Sequence, residues 1–259
     1  MSAPGIAITV ADGIATVVLD NPASRNAITR AMCLDIQDAM PQLERDPEVV
    51  VVSLRGAGGT FSSGAQLTEV ASILMDRTDA GVVDQLSRAD RAIASLSKPT
   101  VALVDGPCMG GGWQLASACD FIIASERSTI GITPAKLGIL YPRSGVDRLV
   151  EQVGAAAAKY ILFSGETFTA ARARELGLIT ELVPDGGFDR RCHELLATVR
   201  DRSRFTVHTM KRLIDLPCED PQLDDRWDAA WAAMAEGPDM GIGIEAFLAR
   251  ETPRFSWRP

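Results

Sequence analysis

The stretch TVALVDGPCMGGGWQLASACDFIIA, residues 100–124, decides the fold. Residues 100–104 form an almost wholly apolar run, the pattern of a strand covered on both faces. A glycine-rich loop follows, then a helix-compatible run, and residues 121–124 return as a second strand. Strand, glycine loop, helix, strand is an α/β arrangement built on a parallel sheet. The same organisation lies about fifty residues upstream, where the apolar run at 49–54 leads into GAGGTFSSGAQL, residues 56–67. There a helix is expected from Gln66 or just beyond.

Working outward, residues 6–10 and 14–19 alternate as strands around Asp12-Gly13, a hairpin signal. Thr29 is placed to cap a helix from Arg30 to about Leu43, with Met32, Ile36, Ala39, Met40 and Leu43 on one side. Beyond Ser144 the pattern turns helical, over 146–153, 155–163, 169–176, 188–199, 205–216, 223–235 and 240–249, with a short strand at 179–183. The expectation is one α/β fold whose sheet-rich core, residues 1–194, carries a helical C-terminal region, residues 195–259.

Composition narrows the chemistry. The 259 residues hold 26 Lys and Arg against 34 Asp and Glu, a net charge of -8, and only 5% are aromatic. Net repulsion from phosphate and the lack of stacking residues argue against nucleic acid as a partner. The two His, His193 and His208, have no ligand-type neighbours at metal spacing, so neither a zinc site nor a Ser-His-Asp triad is expected. Five scattered Cys (33, 108, 119, 192 and 218) without a Cys-x-x-Cys motif point to buried, reduced thiols in a cytoplasmic chain. No basic N-terminal region precedes an apolar run and no stretch approaches about 18 apolar residues, so neither signal peptide nor membrane span is expected.

Glycines clustered where a strand enters a helix permit close backbone approach. The first helical amides then face forward with no intrahelical acceptor and favour an anion in front of them. Neither loop has the spacing of a dinucleotide fingerprint or a P-loop. One such loop is adequately explained as a tight turn beside a packed helix. Two loops, each following a core strand, are what an oxyanion hole requires, two backbone N–H groups converging on one carbonyl oxygen.

Residues 24–27 (SRNA), the loop 56–67 ending FSSGAQL, MGGGWQLASACD at 109–120 and AKLG at 135–138 together resemble the crotonase, or enoyl-CoA hydratase/isomerase, superfamily. The resemblance runs from about Ile6 to the C-terminus. It implies a spiral of ββα units with a helical C-terminal oligomerisation region, assembling as homotrimers or dimers of trimers. It also implies an acyl-CoA thioester as ligand, with no cofactor beyond the CoA that the substrate carries. Carried over by position, the oxyanion amides are those of Ala65 and Gly111. Arg25, Ala27, Ser63, Ala65 and Leu67 border the CoA, with Arg25 either touching its phosphates or simply solvated.

The chain departs from the family pattern where hydratases carry glutamates. The residue two places after the glycine run is Gln114, and the one four places before Gly138 is Pro134. Gln66 stands at the acidic position after the first loop. An amide neither accepts nor delivers a proton near neutrality, so Glu-dependent hydration is doubtful. Asp105, Asp120 and Glu126 are expected to be structural or solvated. Gln66, Trp113, Gln114 and Pro134 are expected around the substrate pocket, Trp113 alternatively as core. Tyr141 is a candidate proton donor or a pocket wall, and residues 68–80 border the acyl channel. Three functions stay open: enoyl-CoA hydratase/isomerase-like chemistry in altered form, decarboxylation or hydrolysis of a CoA thioester, and non-catalytic acyl-CoA carriage or sensing.

Overall fold

The computed structural model describes residues 3–79, 81–217 and 219–258; Ala80 and Cys218, named above, lie outside them. The chain opens on the expected hairpin, β1 (Gly5–Ala11) antiparallel to β2 (Ile14–Asp20), with Asp12 and Gly13 at φ 49° and 78°. That left-handed pair is what a two-residue turn between twisted strands needs. Next, α1 (Arg30–Arg45) begins at the predicted cap, where the Thr29 hydroxyl accepts from the Met32 amide at 3.2 Å.

The remaining elements are β3 (Val51–Gly56), α2 (Val70–Leu74), β4 (Asp76–Thr78), β5 (Gly81–Val83), α3 (Gln85–Ala94), β6 (Thr100–Val104), β7 (Pro107–Met109) and α4 (Gly111–Ala116). They continue through β8 (Phe121–Ser125), β9 (Thr129–Gly131), α5 (Arg143–Ser164), β10 (Thr167–Thr169), α6 (Ala170–Glu175) and β11 (Glu181–Val183). Four helices follow: α7 (Phe188–Arg200), α8 (Arg204–Ile214), α9 (Leu223–Glu236) and α10 (Asp239–Ala249). The two helices expected over 146–163 form one element, α5, broken at Gly154.

The main sheet has the order β1-β2-β3-β6-β8-β11 and is parallel after its first pair. Side chains alternate between its faces. Leu54, Ala102, Val104, Ile122 and Ala124 join the large core with α1, α3, α4 and α5. Val51, Val101, Leu103 and Ile123 meet Phe188, Cys192 and Leu196 of α7 on the other side. The expected division at 194/195 therefore falls inside a helix that packs on the sheet.

A second, smaller ladder runs beside the main sheet. Here β7 lies parallel to β9 and β10 antiparallel to it. Single bridges extend the ladder from Cys108 to Ser62 and from Ala65 to Ile28. Successive turns of chain thus place one segment in the sheet, one in the ladder and then a helix. This is the spiral of ββα units, closed by C-terminal helices. No helix of the described residues is long and apolar enough to cross a membrane.

Candidate functional site

The two glycine loops meet in the small ladder, and its hydrogen bonds aim their amides. Ile28 N–H donates to the Gly64 carbonyl and Gln66 N–H to the Ile28 carbonyl, each at 2.8 Å. Along an extended segment successive amides point to opposite sides, so the N–H of Ala65, between these two bonds, faces away from Ile28. Gly111 is the first residue of α4 and has no intrahelical acceptor. Among the described residues, neither the Ala65 nor the Gly111 amide donates to any backbone or side-chain group. A methyl built on Gly111 would lie 3.4 Å from the Ala65 nitrogen, so the two free donors border one small space.

The loops are sewn together beneath that space. Ser62 N–H donates to Pro107 at 3.0 Å and Met109 N–H returns to the Ser62 carbonyl at 2.9 Å. A Cβ on Gly112 would lie 2.7 Å from the Ser62 Cβ, so only glycine permits this approach. Asn26, fully buried, straps the neighbouring turn to the first loop through Nδ2 bonds to Ala57 and Thr60 at 2.8 and 2.7 Å. With only six residues, α4 adds little field beyond its own first amide.

In front of the amides lies a cavity of about 170 Å³. Leu67, Val70, Leu74, Leu86, Met109 and Ile139 supply most of its wall. Among the described residues, none of those lining it carries a carboxylate, an imidazole or an amine. Of the residues expected here, Ser63, Ala65, Leu67, Gly111, Pro134 and Tyr141 do line it. Of the stretch 68–80, Val70 and Leu74 do so, both from α2.

Gln66 and Gln114 need correction as pocket residues, while Trp113 and Tyr141 each take one of the two roles expected of them. Gln66 does not line the cavity, because the alternation that presents Ala65 and Leu67 turns it the other way. Trp113 and Gln114 do not line it either; both are fully buried, since α4 carries them into the core behind Gly111. Tyr141 does form part of the wall, but its hydroxyl donates to the Gly110 carbonyl at 2.9 Å and so is not aimed into the cavity as a free acid. Burial raises its pKa well above the ordinary phenol value. Of the remaining CoA-border residues, Arg25 is exposed and Ala27 buried, outside this cavity.

The fully buried Asp90 was not foreseen. Its Oδ2 accepts from Gln114 Nε2 at 2.6 Å and Ser144 Oγ at 2.7 Å, while Oδ1 pairs with Arg148 at 3.1 Å. Gln114 is therefore a neutral donor holding a buried carboxylate. The available signal was Asp84 followed by Leu86, Ala89 and Ile93 at helical spacing, with Asp90 on the same buried face. The other acids considered are ion-paired or exposed: Asp105 pairs with Arg127, Asp120 with Lys211 at 2.9 Å, and Glu126 faces solvent. The described cysteines, 33, 108, 119 and 192, are buried free thiols, and burial pushes Cys33, Cys119 and Cys192 up to about 12.

Comparison with known proteins identifies the family and the fold. The family profile described as enoyl-CoA hydratase/isomerase matches residues 9–257. Bos taurus enoyl-CoA hydratase domain-containing protein 2, mitochondrial, is 34% identical over 258 residues, covering 94% of this chain and 84% of the relative. The enoyl-CoA isomerase/hydratase fer4 of Mycosarcoma maydis is 30% identical, covering 94% and 93%. The crystal structure of an enoyl-CoA hydratase/isomerase family member superposes with a TM-score of 0.97 at 59% identity, covering 99% of this chain and 100% of that one. With its interlocked glycine loops and ββα spiral, this chain belongs to the enoyl-CoA hydratase/isomerase family and has the crotonase fold.

Proposed function

We propose that this protein binds an acyl-CoA thioester with its carbonyl oxygen between the amides of Ala65 and Gly111, which stabilise enolate character at the α-carbon. The observation that carries this reading is the pair of unpartnered N–H groups bordering one space at the mouth of an apolar cavity. Donors of this kind contribute about 3–4 kcal/mol each to a developing oxyanion. The acyl group is apolar and short. Since an apolar cavity of about 150 Å³ accepts a benzene-sized guest, the 170 Å³ here suits about six carbons. A terminal carboxylate on that chain would be buried without a partner.

Hydration by paired carboxylates is not supported by this lining, because among the described residues none of those lining it carries a group able to move a proton to or from water at neutral pH. With butyryl-CoA as a binding probe and crotonyl-CoA as substrate, we expect saturable binding but hydration slower by about 1000-fold or more than that of a Glu-bearing family member. Hydration at an ordinary rate would overturn the second half of the reading, and absence of binding the first.

Decarboxylation is a second reading, in which the carboxylate that the described lining leaves without a partner is destabilised in the bound substrate and relieved as it departs. A malonyl- or methylmalonyl-type thioester supplies its own electrons: the bond to the carboxylate carbon breaks, CO₂ leaves, and the pair enters the enolate held by the two amides. Water then protonates the α-carbon. Release of CO₂ from malonyl- or methylmalonyl-CoA tests it. Silence there and toward thioester hydrolysis, with binding retained, favours a carrier or sensor.

The C-terminal helices support self-association. Trp231, Ile244, Phe247 and Leu248 on α9 and α10 are exposed in the single chain, Phe247 by 82%. Large apolar side chains grouped in this way mark an interaction surface, and homotrimers or dimers of trimers are the proposed assembly. Light scattering after gel filtration reads it directly.

A further inference from the structure

The peptide between Gly110 and Gly111 is one conjugated unit: its carbonyl belongs to Gly110, and its N–H is the free Gly111 donor at the cavity. We propose that Tyr141 is a positioning residue, whose hydroxyl, by donating to the Gly110 carbonyl, holds this peptide plane in place and strengthens the Gly111 N–H as a donor to the thioester oxygen. The inference rests on the thioester reading above and deepens it.

The geometry is specific to this peptide. Tyr141 Oη lies 2.9 Å from the Gly110 oxygen, and the Gln114 amide occupies a second direction on the same oxygen at 3.1 Å. Gly110, the N-cap of α4, has φ 46° and ψ -110°, and among the described residues its oxygen is held only by the opening helical bond from Gln114 and by the Tyr141 hydroxyl. Its own amide is tied to the Gly131 carbonyl at 2.7 Å. Resonance along C–N couples the two ends of a peptide, and hydrogen bonds in a chain polarise one another. A donor on the oxygen thus makes the N–H a stronger donor at the other end.

The ring is held for this task. Tyr141 is 9% exposed, and a Cβ on Gly145 would lie 2.6 Å from its Cε1, so the glycine on α5 leaves the slot in which the ring lies. Burial keeps the hydroxyl protonated well above its ordinary range, so the donor persists at every pH at which the protein would work. The phenolic proton points at the backbone, which separates this role from that of a general acid.

Isotope-edited infrared spectroscopy of butyryl-CoA labelled with ¹³C at the thioester carbonyl tests the proposal, because the carbonyl stretch reports the strength of its donors. On binding to the native protein the stretch moves to lower frequency. In Tyr141→Phe, which keeps the ring and removes one hydrogen bond, the displacement shrinks and the Kd rises about 2- to 10-fold. Gly145→Ala, which pushes the ring aside, is expected to shrink it as well. Circular dichroism establishes that each variant is folded. An undiminished displacement in a folded Tyr141→Phe variant would overturn the positioning role while leaving the oxyanion reading intact. No displacement in the native protein would overturn both.

Discussion

Two polar regions lie back to back around α3, α4 and the start of α5, and they follow opposite rules. Each of these elements serves both. From α3, Leu86 lines the cavity and Asp90, one turn later, is the buried carboxylate; from α4, Gly111 offers its amide and Gln114 grips Asp90. Pro142 lines the cavity just before α5, whose Ser144 and Arg148 complete the grip. Residues three or four apart share a helix face, so the charged network is the cavity displaced by one turn into the core. In front, the donors are backbone amides and the walls are apolar. Behind, charge is paired, buried and out of reach of a ligand in the cavity. The contrast assigns Gln114 to the scaffold and leaves the amides of Ala65 and Gly111 as the free donors in front.

The largest effect should come from opening the rear network. Arg148→Met leaves the fully buried Asp90 carboxylate without its counter-charge, and removing one partner of such a pair costs about 3–5 kcal/mol. Urea denaturation would show it as a lower midpoint. The double variant with Asp90→Leu should recover most of the loss, because neither charge then remains buried. If Arg148→Met alone were neutral, the network would not be a structural element.

In front, side-chain deletion cannot remove a backbone donor, but bulk can block it. Gly111→Ala puts a methyl 3.4 Å from the Ala65 nitrogen and 3.2 Å from the Leu86 Cδ2. If the space between the amides is the oxyanion hole, turnover of whichever thioester proves to be the substrate should fall about 100- to 1000-fold, as when a donor is lost. Stability should change far less than in Arg148→Met. Similar turnover in the variant and the native protein would place the thioester elsewhere.

Gln114→Glu joins the two regions in one experiment. It restores the acid that the family resemblance leads one to seek, yet sets a second carboxylate against Asp90 Oδ2, 2.6 Å from the present amide nitrogen. Like charges sharing a buried site raise one carboxyl by roughly two units or more, which at about 1.4 kcal/mol per unit is about 3 kcal/mol of lost stability at pH 8. The raised group holds its proton in the folded state and loses it on unfolding. The variant's deficit therefore grows as pH rises from the ordinary carboxyl value near 4 through the raised folded value. Denaturation midpoints at pH 5 and pH 8 would diverge for the variant relative to the native chain. No gain in crotonyl-CoA hydration is expected, since position 114 does not line the cavity.

The two regions also differ in how far the sequence disclosed them. Glycine spacing after each core strand marked both loops, because close backbone approach and missing side chains are written in residue type, whereas the amides of Ala65 and Gly111 were singled out only by the family resemblance. The rear network depends on Asp90, Gln114, Ser144 and Arg148 meeting across three elements, and no local spacing encodes that meeting. The positions that miss the cavity do so for two reasons. Gln66 sits between Ala65 and Leu67 on an extended segment, where one step turns a side chain to the opposite face. Trp113 and Gln114 lie two and three residues past Gly111 in α4, which carries them into the core. The strands β7, β9 and β10, three residues each, are too short for periodicity to register.

The smallest effect belongs to Arg25, which lies outside both regions. Its side chain is exposed, its backbone sits at φ 53°, and its carbonyl accepts from Ser63 N–H at 2.9 Å, so the turn that carries it is tied directly to the first loop. Placed there, the guanidinium is expected to meet a phosphate of bound CoA. An exposed ionic contact is weak and screened by salt, so Arg25→Gln should raise the Kd for butyryl-CoA by about 2- to 5-fold at low ionic strength and hardly at all near 0.5 M salt. Repeating the titration with the ligand lacking its 3′-phosphate identifies the phosphate: if that group is the partner, the native protein and the variant bind the truncated ligand alike. A salt-independent loss would mean that the substitution acts through the turn and the Ser63 bond, and the cavity spectra of Tyr141→Phe would then provide the standard for how much a displaced loop weakens the thioester's donors.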